Sequence, residues 1–278
     1  MTQHPSRRPL GPPRLQRASP PRPARSEAPR GAVWLYGLHP VAAALANPHR
    51  RARRLLLTEE AEAALRPRVG SPWPLPPERT ERGRLDHLLG QGAVHQGAAL
   101  LADPLVPPPL ATVLQSPGPL IVLDQVNDPR NVGAILRSAA AFRAAGVIAQ
   151  ERNAPDETGA MAKAASGALE TVPLLRAVNI ARTLIALKAV GCWTLGLAPD
   201  APRRLAGSDL AGRRVALVLG SEDEGMRRLT RDTCDEVLAL AMPGSAMQSL
   251  NVAAAAAIAL YELLRVQNAT KSHGPANR

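Results

Sequence analysis

Short apolar runs alternate with amphipathic segments through the second half of the chain. Runs of four to seven residues, rich in Val, Leu and Ala, predict buried strands at 120–124, 147–150, 192–198, 214–220 and 236–242. Helical spacing predicts helices at 129–145, 179–190 and 249–265, with a loop or short helix at 156–168. This alternation predicts an α/β fold, with a mostly parallel sheet and helices on both of its faces.

A smaller α/β unit precedes this region. Its predicted strands lie at 55–57 and 94–102, and its predicted helices at 40–46 and 59–65, the second capped by Thr58. Six prolines between 102 and 119 predict a linker that contains a helical turn at 110–115. The chain therefore divides into an arm at 1–30, a small α/β domain at 31–103, a linker at 104–116, a larger α/β domain at 117–267 and a frayed tail at 268–278.

Positive charge is concentrated at the beginning of the chain. The formal net charge is +11, and residues 1–30 hold seven arginines against one acid, Glu27, so +6 of the total lies there. A basic arm favours a polyanionic partner, most often nucleic acid, although an unselected Arg/Pro-rich tail from a GC-rich genome would look the same. The arm lacks the apolar segment of a secretory signal, and its prolines oppose the amphipathic helix of a mitochondrial transit peptide.

Cysteine content and hydropathy narrow the class further. The two cysteines, Cys192 and Cys234, provide no disulfide framework, so a reducing, cytoplasmic compartment is expected. No clustered set of His and Cys predicts a metal site. No apolar run is long enough to span a bilayer.

Three connectors that follow predicted strands have unusual chemistry, and ligands of open α/β sheets bind beyond the carboxyl ends of the strands. In the first, NDPRNVGAILRSA, Asp128 and Pro129 predict a helix start with Asn131 in its first turn. Arg137 follows among apolar neighbours, and Gly133 leaves room one turn before it, so we expect a buried guanidinium paired with a phosphate. A surface arginine on an amphipathic helix is the plain alternative.

The second connector, GSEDEG, begins where the strand at 214–220 ends. Gly220, Glu222 and Gly225 give a G-x-E-x-x-G spacing, and a glycine at a strand end lets another group approach the backbone closely. The spacing has neither the lysine of a P-loop nor the glycines of a dinucleotide fingerprint. Taken alone, an acidic surface turn would have the same sequence.

The third connector, MPGSAMQSLN, leads into the alanine-rich helix. Ser249 is predicted to cap that helix, with Asn251 inside the first turn and its amide directed outward. A capping serine by itself is ordinary. The combination of the three connectors, in this order, is the specific signal.

Together the connectors resemble the three motifs of the SpoU/TrmH family of RNA ribose 2′-O-methyltransferases. This resemblance covers about 117–266. The segment MAKAASGALETVPLLRAVNIART, at 161–183, is similar in sequence to the RlmB-like branch of the family. YGLHPVAAAL and GAVHQGAALLA are similar to the RNA-binding domain that precedes the catalytic domain in that branch. The resemblance implies a SPOUT-type fold with a C-terminal trefoil knot threaded through 218–226 and 237–250, a homodimer, and S-adenosylmethionine as cofactor.

The resemblance also implies roles for individual residues. The cofactor pocket would be lined, largely by backbone, at Gly220, Leu240, Met242 and Leu250. The catalytic and substrate-positioning set would be Asn131, Arg137, Glu222, Ser249 and Asn251. The chain departs from the family pattern where Ala241 replaces a proline and four residues, not three, separate Gly244 from Ser249, so the backbone contact with the cofactor falls on Leu240 or Ala241.

The implied chemistry needs no metal, because a sulfonium already activates the methyl group and the enzyme has only to align a 2′-hydroxyl and help it lose its proton. The family gives the role of base to the arginine found here at 137. A guanidinium hardly deprotonates in proteins, so we expect Arg137 to clamp a phosphate and stabilise the developing alkoxide. With six aromatic residues in the chain, phosphate contacts are expected to outweigh base stacking, and they would come from the arm and from Arg50, Arg51, Arg53 and Arg54.

The predicted activity is 2′-O-methylation of a guanosine in large-subunit (23S) ribosomal RNA, because the first domain resembles the RlmB-like branch. A tRNA ribose methyltransferase is the alternative within the same chemistry. A non-catalytic RNA-binding or ribosome-assembly protein is a third interpretation, which the presence of all the catalytic-type residues disfavours.

Overall fold

The computed structural model shows two β-sheets joined by a proline-rich connector. It describes residues 28–29, 31–70, 72–152, 154–242 and 250–271, with residues 266–271 described through their backbone only. Within this part of the chain no helix is long and apolar enough to cross a membrane.

The N-terminal unit, residues 33–102, is a four-stranded sheet with three helices. The strands are β1 (Val33–Tyr36), β2 (Ala52–Leu57), β3 (Glu78–Arg79) and β4 (Ala98–Ala102), in the order β1-β4-β2-β3. The helices are α1 (Leu38–Ala46), α2 (Glu59–Val69) and α3 (Arg82–Leu89). The side chain of Thr58 accepts a hydrogen bond from the Ala61 N–H, which confirms the predicted cap of α2.

The C-terminal unit, residues 110–271, is a six-stranded parallel sheet with helices on both faces. The strands are β5 (Leu120–Leu123), β6 (Gly146–Gln150), β7 (Leu174–Ala177), β8 (Cys192–Leu197), β9 (Arg214–Leu219) and β10 (Glu236–Leu238), in the order β10-β8-β9-β5-β6-β7. The helices are α4 (Leu110–Val113), α5 (Pro129–Ala141), α6 (Gly159–Ala165), α7 (Ile180–Ala189), α8 (Arg228–Thr233) and α9 (Val252–Lys271), with a 3₁₀ turn at Ala168–Glu170. This arrangement confirms the predicted α/β class.

Alternation along β5 places the core on both faces of this sheet. Ile121 and Leu123 belong to an apolar cluster that includes residues of α5, α6 and α9, whereas Leu120 and Val122 belong to a cluster that includes residues of α7. The first cluster also contains residues of the N-terminal unit, such as Leu35. The apolar core is therefore continuous from one unit into the other.

The helix predicted at 129–145 is too long. α5 ends at Ala141, because Arg143 adopts a left-handed φ of 53° and the Ala144 N–H bonds back to the Ala139 carbonyl at 2.8 Å. Gly146, the residue directly after the predicted helix, begins β6, and a Cβ there would lie 2.9 Å from Val113 Cγ1. The boundary is hidden in the sequence because Ala144 and Ala145 continue the apolar pattern past the end of the helix.

Several other elements differ from the sequence predictions. β1, β3, β7, α3 and α8 were not predicted, and the strands predicted at 94–102 and 236–242 are shorter, at Ala98–Ala102 and Glu236–Leu238. α9 continues to Lys271, and the frayed tail expected at 268–278 stays a prediction. The knot implied by the resemblance involves residues 243–249, which lie outside the described residues, and it stays a prediction.

The predicted RNA contacts at 50–54 need correction. The side chain of Arg50 is completely buried between Glu157 and Glu170, so it cannot meet RNA. Arg53 and Arg54 are partly exposed and are paired with Asp103 and Glu78. Arg51 Nε also lies 3.7 Å from Asp103 Oδ2, but Arg51 keeps 81% of its side chain exposed and is the member of this run best placed for a phosphate.

Candidate active site

The N-terminus of α5 is built as its sequence predicts. Asp128 precedes the helix, and its Oδ1 accepts a hydrogen bond from the Arg130 N–H at 2.8 Å, while Pro129 takes the first helical position. Asn131 therefore lies in the first turn, half-buried, at the carboxyl edge of the sheet beyond β5.

The loop after β9 is a tight turn that folds back on itself. Ser221 and Gly225 exchange two backbone hydrogen bonds of 3.1 Å, and Gly225 has a φ of 69°, which favours glycine. A Cβ at Gly220 would overlap the backbone of Gly225 and Met226. The close approach expected at Gly220 is therefore made by the loop's own backbone. Glu222 lies within this turn and is exposed.

The third connector differs from its prediction at the helix cap. α9 begins at Val252, and Asn251 is the capping residue, because its Oδ1 accepts from the N–H groups of Ala253 at 2.9 Å and Ala254 at 3.3 Å. Ser249, the predicted cap, lies outside the described residues. Asparagine caps as well as serine does, and the sequence alone did not separate the two.

The three connectors meet at one carboxylate oxygen. Glu222 Oε1 accepts from Asn131 Nδ2 at 2.8 Å, from Asn251 Nδ2 at 2.5 Å and from the Val252 N–H at 3.3 Å. Asn251 Nδ2 also lies 3.0 Å from Asn131 Oδ1. Residues that are 120 positions apart in the chain thus form a single hydrogen-bonded triad, and Glu222 and Asn251 remain solvent-exposed.

Arg137 is not buried, contrary to the sequence prediction. The buried positions of α5 are Val132, Gly133, Ile135, Leu136 and Ala139. Arg137 projects from the exposed face of α5, which agrees with the alternative of a surface arginine on an amphipathic helix. Gly133 does not make room for the guanidinium, because a Cβ there would overlap the Met161 carbonyl oxygen and lie 2.8 Å from Ala164 Cβ. The glycine serves the packing of α5 against α6.

A cavity of about 320 Å³ lies beside the triad. All four residues predicted to line a cofactor pocket contribute to it, namely Gly220, Leu240, Met242 and Leu250. Glu222 belongs both to this lining and to the triad, so the cavity opens next to the converging amides. Ala241, the alternative backbone contact, is not among the lining residues.

The cavity wall also carries a pair of oppositely charged side chains. Arg231 Nη1 donates to Asp200 Oδ1 at 3.0 Å, and this hydrogen bond lowers the pKa of the Asp200 carboxyl. Among the described residues no group of three or more His, Cys, Asp or Glu side chains is arranged to hold a metal ion.

Sequence reasoning missed the pair that anchors the second connector. Asp124, completely buried at the end of β5, accepts from the backbone N–H of Arg227 at 2.9 Å and from its Nε at 2.8 Å. Arg227 closes the loop that carries Glu222. An acid at the end of an otherwise apolar strand, LIVLD, was the available signal, since a buried carboxylate requires a partner.

Comparison with known proteins finds a matching family for each of the two units. Residues 118–261 match the SpoU rRNA Methylase family, and residues 34–108 match the family described as RNA 2'-O ribose methyltransferase substrate binding. The 23S rRNA (guanosine-2'-O-)-methyltransferase RlmB of Photobacterium profundum is 40% identical over 239 residues, which are 83% of this chain and 96% of that protein. The protein of the same name from Escherichia coli K12 is 38% identical over 240 residues, covering 83% and 97%.

A solved structure supports the fold. The SpoU methyltransferase AviRb from Streptomyces viridochromogenes, determined in complex with the cofactor AdoMet, superposes with a TM-score of 0.70. The alignment covers 88% of this chain and 92% of AviRb at 23% sequence identity.

Proposed function

The chain belongs to the SpoU rRNA methylase family, and from this we propose that it transfers a methyl group from S-adenosylmethionine to the ribose 2′-hydroxyl of a guanosine in 23S ribosomal RNA. The observation that carries the proposal is the convergence of Asn131, Glu222 and Asn251 beside a cavity of about 320 Å³. The two relatives, of which the chain spans 96% and 97%, bear the name of this activity.

The residues of the cavity fit the chemistry of the cofactor. Apolar side chains of Leu197, Leu219 and Val252 offer a surface for a purine ring. Glu222, Asp223 and Glu224 place carboxylates where a positively charged sulfonium would be favoured. When bound, S-adenosylmethionine supplies an activated methyl group. We assign Gly220, Leu240, Met242 and Leu250 to its binding.

We assign the triad to positioning of the ribose. Glu222 Oε1 already accepts three hydrogen bonds, so its part is to hold the amides of Asn131 and Asn251 in place rather than to move a proton. Both asparagines belong to helix N-termini, where the backbone favours an anion. Ser249, two residues before Asn251, is assigned to the same set.

Arg137 is assigned to the RNA backbone. Its exposure leaves the guanidinium accessible to a phosphate, which a buried side chain would not be. A guanidinium clamp fixes the sugar in line with the methyl donor and stabilises the alkoxide as it develops. We assign the basic arm at 1–30 and Arg51 to further phosphate contacts, with the N-terminal unit as the RNA-binding domain.

We further propose a homodimer that acts in the cytoplasm, where ribosomal RNA is modified. Ile258, Tyr261 and Leu264 recur every three residues on α9 and are 47%, 58% and 40% exposed. A second copy of the chain that packs on this face would cover them. Tyr261 also contacts Phe142 just after α5, so this face of α9 adjoins the helix that carries Arg137.

The test is methyl transfer from labelled cofactor to total RNA, followed by nucleoside analysis. We expect 2′-O-methylguanosine in large-subunit RNA, mapped by primer extension. Arg137→Ala should abolish transfer and leave cofactor affinity nearly unchanged in calorimetry, whereas Arg182→Ala, an exposed arginine on α7, should change neither. Methylation of tRNA instead would favour the alternative substrate. If the wild-type chain does not bind S-adenosylmethionine, the interpretation as a non-catalytic RNA-binding protein would be favoured.

A further inference from the structure

The two units are joined by a buried ionic cluster, defined here as Arg50, Glu157 and Glu170. Arg50 follows α1 in the N-terminal unit, and the two glutamates flank α6 in the C-terminal unit. Their side chains are 0%, 9% and 4% exposed. Arg50 Nη2 lies 2.6 Å from Glu170 Oε1, and Arg50 Nη1 lies 2.5 Å from Glu157 Oε1.

The cluster has a dense set of hydrogen bonds around the guanidinium. Arg50 Nε donates to Glu170 Oε2 at 3.1 Å, and Nη1 also donates to the Asp103 carbonyl at 2.8 Å. Each glutamate has a second donor as well: the Leu105 N–H donates to Glu157 Oε2, and Asn47 Nδ2 donates to Glu170 Oε2. The proline-rich segment that joins the two units is therefore bonded to the same cluster, through the Asp103 carbonyl and the Leu105 N–H.

Such a cluster specifies geometry more than it stabilises. Removing charges from water is energetically costly, and apolar residues of similar volume often stabilise a protein equally well. The cost is visible at Glu157, where burial raises the pKa of the carboxyl even though Arg50 lies beside it. Because a fork of five donors can be satisfied in few arrangements, an ionic cluster at a domain contact selects one orientation of the two units.

Close backbone packing continues from this contact toward the active site. A Cβ at Gly159 of α6 would overlap the Trp34 carbonyl oxygen and the Tyr36 ring of β1. On the same helix, Lys163 Nζ donates to Gln96 Oε1 of the N-terminal unit at 2.6 Å. Helix α6 in turn packs on α5 at Gly133, two residues beyond Asn131. Helix α6 thus lies between the N-terminal unit and the helix that carries a member of the triad.

We propose that Arg50 is a positioning residue that locks the RNA-binding unit in one orientation relative to the Asn131–Glu222–Asn251 triad. The orientation sets the distance between the RNA segment held by the N-terminal unit and the nucleotide that reaches the triad. Choice of the methylated nucleotide would then depend on a contact that touches neither RNA nor cofactor. This inference rests on the proposed function for its catalytic readout, but the lock itself can be measured without RNA.

The first experiment measures the orientation. Labels introduced by Val94→Cys in the N-terminal unit and Val178→Cys in the C-terminal unit, both at exposed positions, report the distance between the units. Labelled chain diluted with an excess of unlabelled chain, so that each dimer carries one labelled copy, should give one narrow distance distribution, and Arg50→Met should broaden it. The matched control Arg51→Met removes an exposed arginine beside it and should leave the distribution narrow. A broad distribution in the wild-type chain would overturn the proposal without recourse to any Arg50 variant.

The second experiment separates orientation from stability. The triple variant Arg50→Met, Glu157→Leu, Glu170→Met replaces the cluster by apolar side chains and should restore the thermal stability that the single variant loses. We expect it to keep wild-type affinity for S-adenosylmethionine, to lose roughly 100-fold in kcat/KM for RNA, and to scatter methyl groups over neighbouring nucleotides. A stable triple variant that methylates the wild-type nucleotide at the wild-type rate would refute the lock. Absence of methyl transfer by the wild-type chain would instead refute the proposed function.

Discussion

Arg227 closes the loop after β9 by placing three of its groups against the carboxylate of Asp124. Its backbone N–H and Nε donate to the two carboxylate oxygens at 2.9 and 2.8 Å, and its Nη2 lies 2.6 Å from Oδ1. Asp124 in turn extends the pairing of β5 with β9, since its N–H donates to the Leu219 carbonyl at 2.8 Å. Both ends of the Glu222 loop are thereby fixed to the sheet, and residues of this loop line the cavity.

Asp124→Asn should loosen this loop. Asp124 is buried but the Arg227 side chain is 41% exposed, so replacing the carboxylate by an amide with one acceptor oxygen should cost about 1–3 kcal/mol and lower the melting temperature. The affinity for S-adenosylmethionine should fall roughly tenfold. Thermal unfolding and calorimetry check the two effects. The matched control is Asp232→Asn, which removes an exposed acid paired with Arg228 and should change neither. Unchanged cofactor affinity in the Asp124 variant would separate the pair from the cavity.

Gly133→Ala should destabilise the chain through the contact of α5 with α6. The new Cβ would overlap the Met161 carbonyl oxygen, which belongs to a backbone that cannot turn aside, so a loss of about 1–3 kcal/mol is expected in denaturant unfolding. Gly83→Ala on α3 is the control of opposite sign. Outside its own helix, no atom lies within 4 Å of a Cβ there, and the free energy of unfolding should rise by up to about 0.5–1 kcal/mol. Equal effects of the two substitutions would contradict the packing role of Gly133.

Asn251→Ala should remove a helix cap and a member of the triad together. Asn179→Ala is matched to it, because Asn179 caps α7 through a 3.0 Å hydrogen bond from the Arg182 N–H. Each variant should lose about 1 kcal/mol of unfolding free energy. Methyl transfer should fall at least 100-fold in the Asn251 variant and be preserved in the Asn179 variant. Comparable activity in both would show that Asn251 is only a cap.

The thiol of Cys234 should be inert at neutral pH. Burial raises its pKa from 9.0 to about 12, and the thiolate is the reactive form. A thiol reagent at pH 8 should modify Cys234 only after denaturation, whereas the exposed thiol introduced by Val94→Cys should react at once.

The raised pKa of Cys234 also makes the free energy of unfolding depend on pH. A folded-state pKa above the unfolded value gives stability that is complete below pH 9 and is lost as the pH rises toward 12. The Cys234→Ala variant should therefore show a flatter decline of unfolding free energy above pH 9. An equally steep decline would assign the loss to other groups.

The basic arm should contribute to RNA affinity through its charge. Deleting residues 1–27 removes six arginines and Glu27, so the net charge falls by five, and it spares Ala28, which packs beside Trp34. Binding to ribosomal RNA should weaken, and the plot of log affinity against log salt should become less steep. A full-length variant with the six arginines replaced by glutamine should behave like the deletion. An unchanged slope would show that the arm makes no phosphate contacts.

Much of the fold could be predicted from local sequence. Apolar runs of the right length specified β5, β6, β8 and β9, because a strand buried on both faces tolerates few polar residues. Helix starts with strong caps, at Thr58 and Asp128, were also readable from the sequence. The short edge strands β3 and β7 were not, since a strand of two to four partly exposed residues leaves little pattern.

The sequence by itself determined the class of fold, the three connectors and the residue types that their chemistry requires. Only the tertiary structure decided which of those residues meet: it joined Asn131, Glu222 and Asn251 at one oxygen, left Arg137 exposed, and buried Arg50 between the units. The physical reason is that helical or strand periodicity reports only which face of an element is apolar. Whether a charged side chain on that element meets solvent, a substrate or a second carboxylate depends on segments more than 100 residues away in the chain.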